Sequence, residues 1–321
     1  MYRIGIDLGG TNIAAGIVND AFEIICKESI PTGATRPAEE IAADMAALCH
    51  KVCEKAGIAP SEIASVGIAS PGIANHDKGV IEYCCNIPAF KQFAVCDAVK
   101  AGFPVENVFV ENDANAAAWG EVIAGAAKGT SNSIMITLGT GVGGGIIINN
   151  QVISGFNYAG AELGHMVIQV DGRPCGCGRK GCWEAYSSAT ALIRMTEEKL
   201  AECEAEGRTT AMSDNVKAKG KVSGRTAFDC MRAGDEAAKE VVDTYIHYLA
   251  QGLSNIINIF QPEVLSIGGG VSGEGQFLID ALLPEIRREV YGQGIVQSPK
   301  IRIAQLKNDA GIIGGAVLGL K

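Results

Sequence analysis

Apolar and polar positions alternate from Tyr2 to Leu8, the period of a half-buried strand. Gly9-Gly10-Thr11-Asn12 breaks the run as a turn, and Ile13–Val18 and Phe22–Ile30 read as a second and a third strand. Between 38 and 56 the period changes. Ile41, Met45, Leu48 and Val52 fall on one side of a helix. Ile63–Ala69 reads as a strand ended by Ser70-Pro71-Gly72, and Asn86-Ile87-Pro88 as a short loop. Asn107–Val110 is a further strand, and Ala114–Ala118 is strong helix-forming sequence. The polar run Glu111, Asn112, Asp113 therefore falls where strand becomes helix, the edge at which open α/β sheets bind ligands.

The second part of the chain repeats the first. Ile-x-Ile-x-Leu-Gly at 4–9 recurs at 134–139, again followed by a glycine turn and a strand. Val66 to Gly72 has a counterpart in Val264 to Gly270. Two related halves are expected, each opening with a hairpin whose tip exposes backbone N–H groups, facing one cleft. Helices are predicted over 187–205, 235–260 (stopped by Pro262), 276–291 and 309–320, the last with small residues suited to close packing, and a strand over 300–306. The polar stretch 206–224 reads as a loop or excursion.

Composition narrows the function classes. A chain of 321 residues is long enough for two domains. Its net charge of −9 and the lack of a lysine/arginine cluster argue against a nucleic-acid surface. No apolar run reaches the ~18 residues of a membrane span, and no signal peptide precedes the first strand, so a cytoplasmic location is the default expectation. The 11 cysteines are odd in number and mostly scattered, which argues against a disulfide framework.

Three cysteines are not scattered. His165, Cys175, Cys177 and Cys182 lie within eighteen residues, and three thiolates with one imidazole suit tetrahedral Zn²⁺. Four protein ligands close the shell, so the metal is expected to be structural. It would fix Glu162, His165 and Glu184, and carboxylates facing a cleft are what a polyol needs. Glu184 can equally be a carboxylate favoured by a helix N-terminus. Asp7 before the first glycine turn can hold hydrated Mg²⁺ or be a plain surface residue. Asp113 can be a helix cap or a base. The run Gly139-Thr-Gly-Val-Gly-Gly-Gly145 contains Gly-x-Gly-x-x-Gly, but a strand rather than a helix follows, and no P-loop lysine is present. Dinucleotide and P-loop chemistry are both disfavoured.

Asp7-x-Gly-Gly-Thr11, Glu111-Asn-Asp113-Ala-Asn-Ala, Leu138-Gly-Thr-Gly-Val-Gly-Gly, Gly160-x-Glu-x-Gly-His165 and Cys175-Gly-Cys-Gly-x-x-Gly-Cys-x-Glu184 occur in this order. Together they resemble the ROK (repressor, open reading frame, kinase) family, most of all its bacterial glucokinases, over essentially the whole chain. The resemblance implies an actin-like ATPase (ribonuclease H-like) fold of two α/β domains flanking a cleft. A smaller one would span 1–117 plus 307–321, and a larger one with the zinc loop 118–306. It implies ATP-dependent phosphorylation of glucose at the 6-hydroxyl, with Mg²⁺ and a structural Zn²⁺.

Asp113 then matches the general base, and Asn112, Asp113, Glu162, His165 and Glu184 match sugar contacts, with Gly72 and Asn86 at the sugar rim. Asp7 matches the residue near Mg²⁺. Gly9, Gly10, Thr11, Asn12, Thr140, Gly141, Gly269 and Gly270 match the nucleotide loops. His165 would take zinc on one ring nitrogen and sugar on the other. Family members commonly dimerise, so a homodimer is implied. Another hexose or an N-acetylhexosamine (N-acetylmannosamine, fructose, allose) is the nearer alternative substrate. A sugar-responsive regulator is disfavoured, because such repressors carry a helix-turn-helix segment before the Asp-Gly-Gly-Thr turn, where this acidic sequence begins.

Overall fold

The computed structural model describes residues 1–292 and 294–320. Gln293 and Lys321, the last residue of the expected first domain, lie outside the description. By contacts the chain divides into two compact units: Met1–Met135, Gly144–Ala161 and Ala304–Lys321 form one, and Ile136–Gly143 with Glu162–Ile303 the other. Residues 118–135 and 144–161 thus group with the first unit rather than the second.

The first unit opens with β1 (Tyr2–Leu8), β2 (Asn12–Val18) and β3 (Ile24–Pro31), an antiparallel meander. Helix α1 (Ala38–Ala56) follows over the predicted range, its predicted apolar face buried and its end closed by Gly57 in the left-handed region. β4 (Ile63–Ser70) pairs parallel with β1. A small antiparallel sheet not evident from the pattern comes next: β5 (Ile73–Asn75), β6 (Val80–Tyr83) and β7 (Lys91–Phe93), with α2 (Val95–Gly102) behind it. Then β8 (Asn107–Asn112) pairs parallel with β4 and runs straight into α3 (Asp113–Ala124). The core between α1, α2 and this sheet is apolar and mostly aliphatic, built on Ile4, Ile6, Ile41, Met45, Val66 and Ile68, with Phe103.

The repeat then appears as β9 (Ser133–Leu138), β10 (Val142–Ile148) and β11 (Gln151–Val152). After the cysteine loop come α4 (Glu184–Ser187), α5 (Ala189–Ala205), α6 (Ala211–Lys219), α7 (Thr226–Arg232), α8 (Glu236–Phe260), β12 (Val264–Gly268), α9 (Gln276–Glu289), β13 (Lys300–Ile303) and α10 (Ala310–Ala316). The two large sheets have strand orders β3-β2-β1-β4-β8 and β11-β10-β9-β12-β13. Position by position, the second repeats the first, and β4 and β12 occupy equivalent places, as the paired motifs predict.

Two expectations are corrected. The stretch 206–224 is not a loop throughout: α6 forms there, capped by the Thr210 hydroxyl, which itself donates to Asp235 at the start of α8 (2.7 Å). The final helix is shorter than 309–320 because Val317 leaves helical geometry and a 3₁₀ turn follows. That helix touches its neighbours backbone to backbone. A Cβ at Gly5 would overlap the carbonyl of Ile312, and one at Gly67 that of Gly315.

Candidate active site

In the first unit the candidate residues gather at the carboxyl edge of the sheet. Strand register places Asp7 level with Ala69 of β4, and Ala69 level with Glu111 of β8. Asp7 and Glu111 are therefore two strands apart, about 10 Å between backbones, with Asp113 just beyond. Burial pushes the Asp7 carboxyl above its usual range. It packs against Gly311 of α10, where a side chain would collide with it.

The β1–β2 turn is held from outside. Thr32 donates its hydroxyl to the Gly9 carbonyl (2.6 Å) and its N–H to that of Thr11 (2.8 Å), leaving Thr11 and Asn12 exposed at the tip. Gly10 lies against Asn86: a Cβ there would be 3.3 Å from the Asn86 Cβ. Gly72 has φ of 87° and its missing side chain would overlap the Tyr83 carbonyl, so no other residue fits.

The cap of α3 is Asn112 and not Asp113. The Asn112 Oδ1 accepts from the N–H groups of Ala114 (3.0 Å) and Asn115 (3.2 Å), while its Nδ2 donates to the Gly72 carbonyl (3.0 Å). This ties the β4–β5 turn to the start of α3. Asp113 is the first helical residue, half-buried, its Oδ1 accepting from Ala114 N (2.8 Å). Beyond the cap and the Gly72 bond, one Nδ2 hydrogen of Asn112 remains.

In the second unit the glycine turn after β9 is docked on the start of α5. Ala189 N–H donates to the Gly139 carbonyl (2.8 Å) and the Thr190 hydroxyl to that of Thr140 (2.8 Å). Gly269 (φ 81°) lies against the Leu138 carbonyl, bringing the turns after β9 and β12 together, with Gly270 exposed. Glu184 closes the group. Its Oε2 accepts the Val142 N–H (3.0 Å) and fills the space where a Gly141 side chain would stand. Glu184 is also the first residue of α4, the helix N-terminal placement that the sequence offered as one of its two readings.

A ring nitrogen of His165 and the sulfurs of Cys175, Cys177 and Cys182 all lie within 4.8 Å of one another. His165 Nδ1 is 3.7 Å from Cys175 Sγ, and Cys177 Sγ is 3.6 Å from Cys182 Sγ. For zinc with bonds of about 2.3 Å to sulfur and 2.0–2.1 Å to nitrogen, tetrahedral edges are about 3.8 and 3.6 Å. The spacing fits. Burial pushes the Cys175 thiol up to about 12 and raises Cys182, whereas the Arg179 N–H lowers Cys177. Packed thiols that resist ionisation are what a dication relieves. Glu162 is exposed, three residues before His165, whose N–H donates to its carbonyl (3.0 Å). Trp183, fully buried, donates its indole N–H to Tyr248 (3.0 Å) and fills the space over Gly252, fixing the loop to α8.

A family model described as the ROK family matches residues 3–321. The chain belongs to the ROK family.

The glucokinase of Halalkalibacterium halodurans is 35% identical, over 99% of this chain and 94% of that one. The glucokinase of Streptomyces coelicolor is 36% identical over 98% and 96%. Among solved structures, a ROK family glucokinase from Streptomyces griseus, in complex with glucose and AMPPNP, is 34% identical. It has a TM-score of 0.80 and covers 99% of both chains. The fold is the actin-like ATPase fold of the ROK sugar kinases. The xylose repressor of Bacillus subtilis is 28% identical, and the chain covers 70% of its length. Among the described residues no helix is long and apolar enough to cross a membrane.

Each unit by itself carries carboxylates and a glycine turn. What the motifs did not reveal is the support beneath them: the Glu184 contact to Val142, Gly311 against Asp7, and the fully buried Glu111 behind Asp113. The nearest signal for Glu111 was its place in the polar run at the strand end.

Proposed function

We propose that this ROK protein is an ATP-dependent glucokinase that transfers the γ-phosphoryl of Mg-ATP to the 6-hydroxyl of glucose, in the cytoplasm where ATP is supplied. ROK glucokinases aligned over nearly the whole chain support the reaction. The observation that carries the assignment of the base is that Asn112 takes the capping role, so Asp113 is not needed for it and stands just beyond Glu111, the residue whose strand register is level with Asp7.

In this reading Asp113 accepts the proton of the sugar 6-hydroxyl as the oxygen attacks phosphorus. Asn112, Glu162, His165 and Glu184 bind the other hydroxyls, with Gly72 and Asn86 shaping the rim. Gly9, Gly10, Thr11, Asn12, Thr140, Gly141, Gly269 and Gly270 line the nucleotide with backbone N–H groups and small side chains. Positioning and charge stabilisation are most of what phosphoryl transfer requires. Mg²⁺, when bound near Asp7, would neutralise phosphate charge. Zinc on His165, Cys175, Cys177 and Cys182 would be structural, and His165 Nε2 would remain for sugar, since Nδ1 faces Cys175. A homodimer follows from the family resemblance and is tested by sedimentation equilibrium.

An ATP-coupled assay over a hexose panel tests the substrate. Glucose is expected to give the highest kcat/KM. An N-acetylhexosamine preferred by more than about tenfold over glucose would replace it as acceptor while leaving the kinase chemistry intact.

A further inference from the structure

Glu111 is a fully buried carboxylate (0% exposed) two residues before Asp113. Its Oε1 accepts from the Asn112 N–H (3.0 Å) and from Asn115 Nδ2 (3.2 Å). The two bonds bracket Asp113, one on the residue before it and one a half-turn after it. The other oxygen, Oε2, lies 3.1 Å from Nδ1 of His76, a close polar contact rather than an aligned hydrogen bond.

His76 is in the β5–β6 turn, far from Glu111 in sequence. Its Nε2 faces Asp77 Oδ1 at 3.6 Å, and its ring meets Tyr158 edge to face (centroids 5.0 Å, 81°). Tyr158 in turn donates its hydroxyl to Asp77 Oδ2 (2.6 Å). The imidazole is thus held on three sides, with one nitrogen lying against the buried carboxylate. A buried charge is tolerated where a partner compensates it, and removing the partner is costly. Glu111 would then shift, which alters the bonds by which it fixes the Asn112–Asn115 turn.

We propose that His76 is a positioning residue for phosphoryl transfer, acting through Glu111 to hold Asp113 in line with the acceptor hydroxyl. The proposal rests on Asp113 being the base. It concerns geometry at the reacting atom, so the loss belongs in kcat more than in sugar affinity.

The test compares kcat and KM for glucose in His76→Ala, His76→Asn, His76→Gln, Glu111→Gln and the double variant His76→Ala/Glu111→Gln, beside Asp113→Asn. His76→Ala is expected to lower kcat roughly 10–100-fold with KM for glucose moving less than about threefold. Asparagine places its amide where Nδ1 was and should keep kcat within about threefold of the parent, whereas glutamine, whose amide mimics Nε2, should behave like alanine. On the Glu111→Gln background, which removes the buried charge, His76→Ala should lower kcat by less than about threefold further. If His76→Ala does not fold, the asparagine–glutamine pair decides, and equal kcat in those two overturns the proposal. A folded His76→Ala chain with parent kcat overturns it as well, and so does a loss confined to KM. An Asp113→Asn chain that turns over at parent rate would instead remove the assignment of the base, whatever the His76 variants do.

Discussion

Replacing Cys177 by serine asks whether the metal-type cluster holds the sugar-side carboxylates in place. Cys177 is the exposed member of the cluster, so little packing is lost and the change removes chiefly a ligand. The loop closed between His165 and Cys182 spans about 17 residues, and a cross-link of that length removes roughly 3 kcal/mol of chain entropy. Part of the order survives without metal. Arg173 forms a two-pronged pair with Glu198 (2.8 and 2.6 Å), its N–H donates to the Tyr186 hydroxyl (2.6 Å), and Trp183 stays locked on α8. If these retain about half of the ordering, some 1–2 kcal/mol falls to the sugar, which weakens glucose binding about tenfold. Metal analysis and glucose titration calorimetry on parent and variant measure both quantities. The parent should carry about one zinc per chain, and the variant should lose it together with a roughly 5–20-fold rise in the glucose Kd. A parent purified free of zinc would refute the reasoning. So would a metal-free variant binding glucose within about twofold of the parent.

Two further predictions concern the first unit. Gly67→Ala places a methyl on the Gly315 carbonyl, and since backbone cannot yield as a side chain does, it should cost about 3 kcal/mol or more in urea denaturation; a loss under about 0.5 kcal/mol would show that α10 can slide. Asp7→Asn should separate stability from activity. Burial raises the Asp7 pKa in the folded chain, so at neutral pH the fold carries a carboxylate it disfavours. The variant should melt at a higher temperature than the parent there, and the gain should vanish as pH falls below the carboxylate range, where both states are protonated. Turnover should drop in parallel, and an unchanged Tm at pH 7 would contradict the burial argument.

How much of this was legible depended on whether the signal was local. The helix over 38–56 was, because its apolar stripe is complete and glycine ends it. The duplicated sheets were, because the hairpin glycines repeat at the same spacing. The cysteine cluster was, because ligand type and spacing are both local. Helix α6 was not: it is polar nearly all round, and its start is fixed by Asp235 from a distant helix. The β5–β7 sheet was hidden because its strands are three or four residues long. At residue 113 the sequence permitted cap or base, and only the side-chain directions assign the cap to Asn112. His76 had no local signal, since its partner is 35 residues away on another strand.

The central claim is that the carboxylate at the start of α3 takes the proton from the sugar. Kinetics and glucose titration of Asp113→Asn test it most directly, because the amide keeps size and hydrogen-bonding reach while losing basicity. The account predicts a fall in kcat of roughly 10²–10⁴-fold, with glucose affinity within about tenfold of the parent. ATP-dependent phosphorylation of glucose by that variant at a near-parent rate would contradict it.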